Sequence, residues 1–406
     1  MSFTIPSVVI ENGSTNTRAG FSNDEIPPLV FSSNYGENSQ SHEIFVGDDI
    51  YLKNRPSKYQ DLEVFSMLND GMVYNWDNLE KNWEYIFKSL KVYGHGDSED
   101  VYPLVTTEVS WNSKKNKKKL GELAFEKFEV PSFSLLKNPL CITYGLGRSN
   151  GLIIDIGGSV MSVTGVVDGN ILTKSAVHSK YAGDYLNFQI FNYLKRSFYP
   201  QSDPVSKKLL KFPNVTTSFK NFDLNANLLN DFKYSILKTA QFQITPQNLG
   251  NFGVETKNYQ LPDGRIININ SEQLLLTETL FKPLLFDTKV ANNEPTAPVP
   301  GIIDLVLNSL NKFRDTPEVI SQLLSNIIIS GGGASIPDIE KRIYFELNSL
   351  LPNFQINCFC NPSLLDRQNA VWIGAGILSS MNNFDGFMSR KEYLELGEDR
   401  FFEKFK

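Results

Sequence analysis

The sequence is poor in cysteine and histidine, the residues on which disulfide frameworks and zinc sites depend. Its 406 residues include three histidines and three cysteines, which are Cys141, Cys358 and Cys360. Three cysteines, the last two separated by a single residue, are too few and too close for a disulfide framework or a zinc site. Three histidines give little support for metal ligation through imidazole.

Long apolar runs and net positive charge are also absent. No apolar stretch approaches the roughly 18 residues that cross a bilayer, and the N-terminus has no basic region followed by a long apolar one. The net charge of −6 argues against a protein that binds nucleic acid over its whole surface. We therefore expect a protein that is neither secreted nor membrane-spanning. Direct DNA contact is not favoured, and whether any one surface touches DNA or a nucleosome is left open. At 406 residues, 41% of them hydrophobic, the chain can bury two substantial cores.

Two short apolar strands end in an acidic residue and then turn on small residues. The first ends at Glu11 within residues 8–14, and the second ends at Asp155 within residues 152–159. Backbone N–H groups of glycine-rich turns can bind phosphate oxygens because no Cβ blocks the approach, and the carboxylates could hold a hydrated magnesium ion. A single Asn-Gly turn is typical of a purely structural hairpin. Two matched hairpins favour a phosphate site.

A third glycine run supports the same interpretation. Residues 327–330 form an apolar, β-branched strand that opens into Gly331, Gly332 and Gly333, with Pro337 where a helix could start. Three such turns could surround one nucleotide. The alternative for this run alone is an ordinary strand-to-helix connection.

Residues 76–90 are predicted to form an amphipathic helix that packs in the core. Apolar residues recur there at helical spacing, and Asn75 is a plausible N-cap.

The order and content of these motifs resemble the actin family over residues 8–393, and the segments 71–81, 280–283 and 372–378 add to the resemblance. The resemblance implies an α/β, actin-like (actin/Hsp70/sugar-kinase superfamily) bilobed fold with a duplicated sheet-and-helix core around a nucleotide cleft. It implies a small lobe of residues 1–145 plus 370–406, with 34–68 as its distal subdomain. The large lobe would be residues 146–369, with about 182–282 as its distal subdomain.

The resemblance also implies positions for ATP and magnesium. Residues placed at the phosphates are Gly13, Ser14, Arg18, Gly157 and Gly158; those at the metal are Glu11 and Asp155; those at the nucleoside are Gly183, Lys233, Gly332 and Gly333.

Several of these positions depart from the family pattern. Glu11 replaces an aspartate, Thr15 a glycine, Arg18 a lysine, Gly158 an aspartate near the sugar, and Tyr234 a glutamate that binds the ribose. Each lost hydrogen bond could weaken binding by roughly 1 to 3 kcal/mol, so occupancy of the cleft by ATP with magnesium is left open.

Hydrolysis and polymerisation are both predicted to be lost. The glutamine and histidine that orient the attacking water in actins correspond to Asn138 and Ser162; asparagine is shorter, and serine is no base near neutral pH without help. We therefore expect a pseudo-ATPase. The segment between Phe31 and Phe45 is short and polar, so the docking loop of polymerising actins is missing and no open filament is expected.

Within the family, the chain resembles actin-related protein seven of fungal SWI/SNF and RSC chromatin-remodelling complexes. The segments that carry this resemblance are residues 9–14 with 19–23, residues 179–189, and Asp366-Arg367 before Trp372. That resemblance implies a nuclear subunit that pairs with a second actin-related protein and binds a helical segment preceding the remodeller's ATPase motor. A groove between the lobes would receive this amphipathic helix. Its predicted lining is Tyr144, Gly147, Leu378, Met381 and Phe384, together with Ile377. The alternative is that several of these residues are simply core.

Three functional classes follow from these observations. The first is a structural and regulatory subunit of a chromatin remodeller, and the second is a cytoskeletal-complex or filament-end actin relative. The third is an active ATPase or sugar kinase of the wider superfamily, which would need a carboxylate base for which no candidate is identified.

Overall fold

The computed structural model describes residues 5–51, 60–92, 102–198, 215–245, 248–286 and 299–406, in an α/β arrangement of two large sheets with helices around them. The strands in chain order are β1 (Val8–Asn12), β2 (Asn16–Phe21), β3 (Leu29–Ser32), β4 (Asn34–Asn38), β5 (Ile44–Val46), β6 (Leu62–Ser66), β7 (Leu68–Asn69), β8 (Met72–Val73), β9 (Leu104–Glu108), β10 (Ser132–Lys137), β11 (Gly151–Ile156), β12 (Met161–Val167), β13 (Asn170–Ser179), β14 (Lys257–Gln260), β15 (Ile266–Ile269), β16 (Ile327–Ser330), β17 (Cys358–Phe359) and β18 (Met388–Ser389).

The helices in chain order are α1 (Trp76–Ser89), α2 (Lys114–Glu122), α3 (Asn138–Gly145), α4 (Gly183–Phe198), α5 (Thr217–Asp223), α6 (Asn230–Ile236), α7 (Glu272–Glu278), α8 (Ile302–Leu310), α9 (Pro317–Leu324), α10 (Ile339–Leu350), α11 (Leu364–Ser379) and α12 (Arg390–Lys404). A π-helical segment, Leu224–Leu229, joins α5 to α6 without a break.

The two large sheets repeat one arrangement. In the first, of order β18-β10-β9-β1-β2-β3, an antiparallel meander β1-β2-β3 continues into the parallel strands β9 and β10. In the second, of order β13-β12-β11-β16-β17, the meander β11-β12-β13 continues into the parallel strands β16 and β17. The repeat brings β1 and β11 to equivalent positions, so the turns that follow these two strands are equivalent as well. This is the duplicated sheet-and-helix core that the resemblance implies.

Each large sheet has its own hydrophobic core. In the first core Trp83 of α1 packs with Phe133 and with Phe401 of α12, and all three side chains are fully buried. The helix predicted from residue 76 is confirmed: Asn75 caps it by accepting a hydrogen bond from the backbone N–H of Asn78. The larger second core joins β11, β12 and β16 to α4, α6, α8 and α10.

Helices α3 and α11 lie between the two sheets, where a third cluster contains strand residues of both, among them Val9 and Ile153. The two helices cross at glycines: a Cβ at Gly374 would lie 1.7 Å from the carbonyl oxygen of Cys141. Only glycine permits this approach. The indole of Trp372 donates a hydrogen bond of 3.0 Å to the carbonyl of Val9, which fixes α11 against the first sheet.

A small sheet of order β5-β4-β6 lies at the outer end of the first lobe. Residues 39–43 connect β4 to β5 as a tight hairpin in which the N–H of His42 donates to the carbonyl of Asn38. Parts of both predicted distal subdomains, residues 52–59 and 199–214, lie outside the described residues. Among the described helices, none combines the length and apolar character that crossing a membrane requires.

Candidate functional site

A cavity of about 230 Å³ lies between the two large sheets, where the three glycine-containing turns meet. We call these the first turn (residues 12–15), the second turn (157–160) and the third turn (331–335). The structure brings all the predicted cleft residues to this one cavity. Those that line it are Glu11, Gly13, Ser14, Arg18, Asn138, Asp155, Gly157, Gly158, Ser162, Gly183, Lys233, Gly332 and Gly333.

The first and second turns contact each other directly. Each is closed by its own hairpin bond, from the N–H of Gly13 to the carbonyl of Asn16 and from the N–H of Gly157 to the carbonyl of Val160. Between them, the backbone N–H of Ser159 donates a 3.0 Å hydrogen bond to Oγ of Ser14. This bond links the two lobes, and it occupies the backbone N–H of Ser159.

Thr15 and Gly158 complement each other across the same contact. A Cβ at Gly158 would lie 2.2 Å from Oγ1 of Thr15 and 3.1 Å from Oγ of Ser14. These are the two positions where the sequence departs from the family pattern in opposite senses, a side chain gained in the first turn and one lost in the second. The structure explains the two departures together, because Thr15 takes the space that a residue 158 side chain would need.

Glu11, Arg18 and Asp155 form the charged centre of the cavity. Arg18 does not extend freely toward a ligand: its Nη1 lies 3.2 Å from Oε1 of Glu11, and its Nε donates a 2.6 Å hydrogen bond to Oδ1 of Asn369. Burial raises the pKa of Glu11 even though Arg18 opposes the shift. Burial, and then the nearby Glu11 carboxylate, raise the pKa of Asp155 to about 7. Arg18 therefore forms an ion pair with Glu11 and opposes the rise in the pKa of Asp155.

The residues present fit a hydrated divalent cation with an anionic ligand. Oε2 of Glu11 is buried without a hydrogen-bond partner, and so is Oδ1 of Asn138 at the start of α3. Unpaired buried oxygens are costly, and oxygen atoms are the ligands that magnesium prefers. Among the described residues, no group of three or more histidine, cysteine, aspartate or glutamate side chains could hold a metal by itself. A bound cation would therefore need water and ligand oxygens in addition to Glu11 and Asp155.

No base stands at the positions that orient water in actins. Ser162 pairs with Asp155 across β11 and β12, which places both side chains on one face of the sheet. Asn138 is a neutral amide. This arrangement can bind and orient polar groups, and neither Asn138 nor Ser162 carries a carboxylate or imidazole that could accept a proton from water.

Lys233 is held by protein groups rather than presented to a ligand. Its Nζ donates to Oδ1 of Asn187 at 3.1 Å and to Oδ1 of Asn230 at 2.8 Å. Burial lowers its pKa to about 8, while Asp184 acts in the opposite direction. The ring of Tyr234 is 41% exposed, and it lines the cavity beside Gly332. At this end of the cavity the ring of Tyr234 lies beside polar side chains, and the ammonium group of Lys233 is already hydrogen-bonded to protein.

The third turn is fastened to the start of α11. The N–H of Gly331 donates to the carbonyl of Arg367, and Nη1 of Arg367 donates to the carbonyl of Ala334. The helix expected at Pro337 begins two residues later, at Ile339, because Asp338 adopts a left-handed conformation with φ of 64°. The turn nevertheless leads from a buried strand to a helix, as the sequence predicts.

The sequence interpretation missed part of the lining. Glu108 is the last residue of β9, Trp111 follows that strand, and Gln368 lies in the first turns of α11. The signal for the first two was available, since β9 ends beside the Glu11 end of β1 and ends of adjacent parallel strands form sites. Glu108 lies 3.0 Å from Nζ of the buried Lys117, and burial raises the pKa of Glu108.

The predicted partner groove is present only in part. Met381 is 39% and Ile377 43% exposed, Gly147 is exposed, and Tyr144 and Phe384 are half-buried. Leu378 is 5% exposed and packs in the cluster between the sheets. For Leu378 this burial favours the alternative that some of the predicted groove residues belong to the core, and Ile377 is the more exposed neighbour.

Comparison with known proteins matches the chain over nearly all of its length. The sequence model of the family described as Actin matches residues 3–406. Actin-related protein 4 of Yarrowia lipolytica is 29% identical over 98% of this chain and 96% of its own length. The SWI/SNF and RSC complexes subunit arp42 of Schizosaccharomyces pombe is 30% identical over 98% and 97%. Actin-related protein 4 of Arabidopsis thaliana is 25% identical over 97% of each.

The names of these relatives correct the narrower prediction from the sequence. They point to actin-related protein 4 and arp42 rather than to actin-related protein seven. The short segments at residues 9–23 and 179–189 carried information about the family but did not separate its subfamilies.

Proposed function

The chain belongs to the actin family, and we propose that it is a structural and regulatory subunit of an ATP-dependent chromatin-remodelling complex in the nucleus. The observation that carries this proposal is the similarity to arp42, whose name places that relative in SWI/SNF and RSC complexes and which matches over nearly its whole length. The protein would pair there with a second actin-related protein.

Absence of ATP hydrolysis is the second part of the proposal. It is supported by Asn138 and Ser162 at the positions that would orient water, and by the ion pair between Glu11 and Arg18. Phosphate release from ATP by the purified protein should stay at the buffer background. Turnover as fast as that of polymerising actins would contradict the proposal and favour an active ATPase or kinase.

Retention of a nucleotide is the third part. Glu11 and Asp155 would hold a magnesium ion, which would neutralise phosphate charge, while the first and second turns would contact the phosphates. Extraction of the purified protein followed by chromatography should release adenine nucleotide. A cavity that stays empty at millimolar ATP would contradict this part alone.

Failure to polymerise is supported by the hairpin at residues 39–43, which is too short to reach a neighbouring subunit as a docking loop would. Sedimentation of the purified chain with magnesium and salt should leave it in the supernatant. Pelleted filaments would contradict this part of the proposal.

Binding of a motor helix is supported by the exposed apolar side chains Ile377 and Met381 beside the half-buried Phe384. An amphipathic helix could cover them with its apolar face. We expect Met381→Asp to abolish a stable complex with the helical segment that precedes the remodeller motor, as measured by size-exclusion chromatography. Leu394→Asp is the control, because Leu394 is 64% exposed on α12.

Affinity purification from nuclear extract distinguishes the two non-catalytic classes. Recovery of a DNA-translocating motor and a second actin-related protein supports the remodeller subunit. Recovery of a cytoskeletal complex instead would overturn it.

A further inference from the structure

Asp184 is an acidic residue of the cavity wall to which the sequence assigns no role. It is the second residue of α4 and lines the cavity, where it is exposed although Gly183 and Asn187 on the same helix are buried. Its carboxylate makes no hydrogen bond or ion pair with the residues that the structure describes. A carboxylate is an acceptor-only group, so this one is free to accept hydrogen bonds from a ligand.

The backbone of Asp184 is held against the second turn. Its N–H donates a 2.8 Å hydrogen bond to the carbonyl of Gly158, and the N–H of Gly183 donates one of 3.1 Å to the carbonyl of Gly157. A Cβ at Gly183 would lie 3.0 Å from that Gly157 oxygen, so the start of α4 packs closely on the turn. Asp184 is therefore bonded through its backbone to position 158, where the family pattern has an aspartate near the sugar.

On its other side Asp184 lies near α6. Lys233 and Tyr234 of that helix line the cavity as well. Burial lowers the pKa of Lys233 and raises that of Tyr234, and Asp184 is close enough for its negative charge to raise both pKa values. Asp184 therefore lies between the turns predicted to bind phosphates and the helix predicted to contact the nucleoside. In a nucleotide, the sugar occupies that intermediate position.

Asp184 is also the acidic residue that this chain places in the nucleoside half of the cavity. At the two positions where the family pattern has a carboxylate for the sugar, Gly158 has no side chain and Tyr234 has a hydroxyl. Burial raises the pKa of Tyr234, so that hydroxyl is neutral at pH 7. The other acidic residues that line the cavity lie at or near the ends of β1, β9 and β11, and they are Glu11, Glu108 and Asp155.

We propose that Asp184 selects ligands that carry a ribose, by accepting hydrogen bonds from the 2′- and 3′-hydroxyls of a bound nucleotide. This assignment rests on the nucleotide site under Proposed function, and it identifies the residue that reads the sugar there. Each oxygen of the carboxylate can accept one O–H donor. Acidic side chains recognise ribose hydroxyls in the same way in dinucleotide-binding folds. Asp184 is a binding residue and takes no part in breaking a bond.

Displacement of 1,N6-etheno-ADP measures this selectivity, because a label on the base leaves both ribose hydroxyls free. ADP and 2′,3′-dideoxy-ADP are compared as competitors in the presence of magnesium. We expect ADP to displace the probe from the wild type at a concentration about 10- to 100-fold lower than 2′,3′-dideoxy-ADP requires, the range for hydrogen bonds to a charged group.

Substitutions of Asp184 should change the ratio of the two affinities. Asp184→Ala should weaken ADP and leave 2′,3′-dideoxy-ADP unchanged, so that the ratio falls to within about twofold. Asp184→Asn keeps an acceptor oxygen without the charge and should retain a ratio of about 3- to 10-fold. A purely structural role would weaken both nucleotides equally and leave the ratio as it was. Asp315→Ala makes the same chemical change at a side chain that is 91% exposed before α9, and its ratio should equal that of the wild type.

The outcomes distinguish this assignment from the nucleotide site itself. Equal displacement by both nucleotides in the wild type, or a wild-type ratio in Asp184→Ala, would overturn the role of Asp184 and leave the nucleotide site in place. A ratio lost in Tyr234→Phe but kept in Asp184→Ala would overturn it too, since the tyrosine hydroxyl would then be the sugar ligand. A wild type that binds no 1,N6-etheno-ADP would contradict nucleotide retention together with the assignment.

Discussion

Among the charged side chains that the structure describes, we expect the loss of Arg342 of α10 to lower the free energy of unfolding most. Its guanidinium is fully buried and binds Glu278 with two hydrogen bonds, Nη1 to Oε2 at 2.7 Å and Nη2 to Oε1 at 2.8 Å. Nε donates to Glu346 at 2.6 Å. Nη1 also reaches the carbonyl of Phe242 at 3.2 Å, and the guanidinium carbon lies 4.3 Å from the ring centre of Phe281.

The magnitude follows from what the substitution Arg342→Met leaves behind. The side chain of Glu278 is 1% exposed, so its carboxylate would remain in the core without a counter-charge. Breaking one half of a buried pair costs about 3 to 5 kcal/mol, whereas replacing both partners by apolar residues is often neutral. We therefore expect Arg342→Met to lower the free energy of unfolding by about 3 to 5 kcal/mol, and Arg342→Met/Glu278→Leu to recover most of that loss.

Urea denaturation at pH 7 measures both effects. Arg314→Met is the control, because the Arg314 and Asp315 side chains are 76% and 91% exposed and their pair should contribute less than about 1 kcal/mol. A loss below about 1 kcal/mol for Arg342→Met, or a double variant no more stable than the single one, would refute the reasoning from burial.

Three further results are expected. Thr15→Gly and Gly158→Asp should be strongly non-additive in unfolding free energy, with a coupling of about 1 to 3 kcal/mol, because a Cβ at 158 meets Thr15 at 2.2 Å; additive effects in a double-mutant cycle would be inconsistent with the contact. Because burial lowers the folded-state pKa of Lys233 to about 8, the unfolded chain binds more protons between pH 8 and 10.5, so stability should rise with pH in that window. The difference in unfolding free energy between the wild type and Lys233→Met should change by up to about 3 kcal/mol between pH 7 and pH 10.5. A difference that does not change with pH would exclude the lowered pKa. Cys141 is fully buried and its thiol pKa is raised by burial, so peptide mapping should find it unlabelled by iodoacetamide at pH 8 until urea unfolds the protein.

The features that were predicted correctly are those with a local signal. The two hairpins, the strand before Gly331 and the helix that follows Asn75 are each specified by consecutive residues whose periodicity and turn chemistry agree. The glycine-containing turns that line the cavity each follow a strand, and Asn138 and Gly183 begin helices. Placement of side chains at strand ends could therefore be predicted before their distances were known.

The features that were missed depend on contacts between distant parts of the chain. Val64 and Ser218 are 154 residues apart, and no local pattern indicates that they pair. Leu378 and Ile377 are adjacent apolar residues on one helix, and periodicity could not show that Leu378 is buried whereas Ile377 is 43% exposed. Glu108 was overlooked because its counter-charge, Lys117, lies in a lysine-rich segment that resembles an exposed one.

The glycine crossing of α3 and α11 limits how the molecule can move. No side chain separates Gly374 from the carbonyl of Cys141, so neither helix can translate along the other without driving backbone into backbone. Rotation about the crossing point is the motion that this geometry leaves. A helix bound against Ile377 and Met381 would lie beside the axis of that rotation. A large displacement at the distal ends of the lobes would change the surface around these two residues only slightly. The protein could therefore keep a firm hold on a neighbouring subunit while its far end opens.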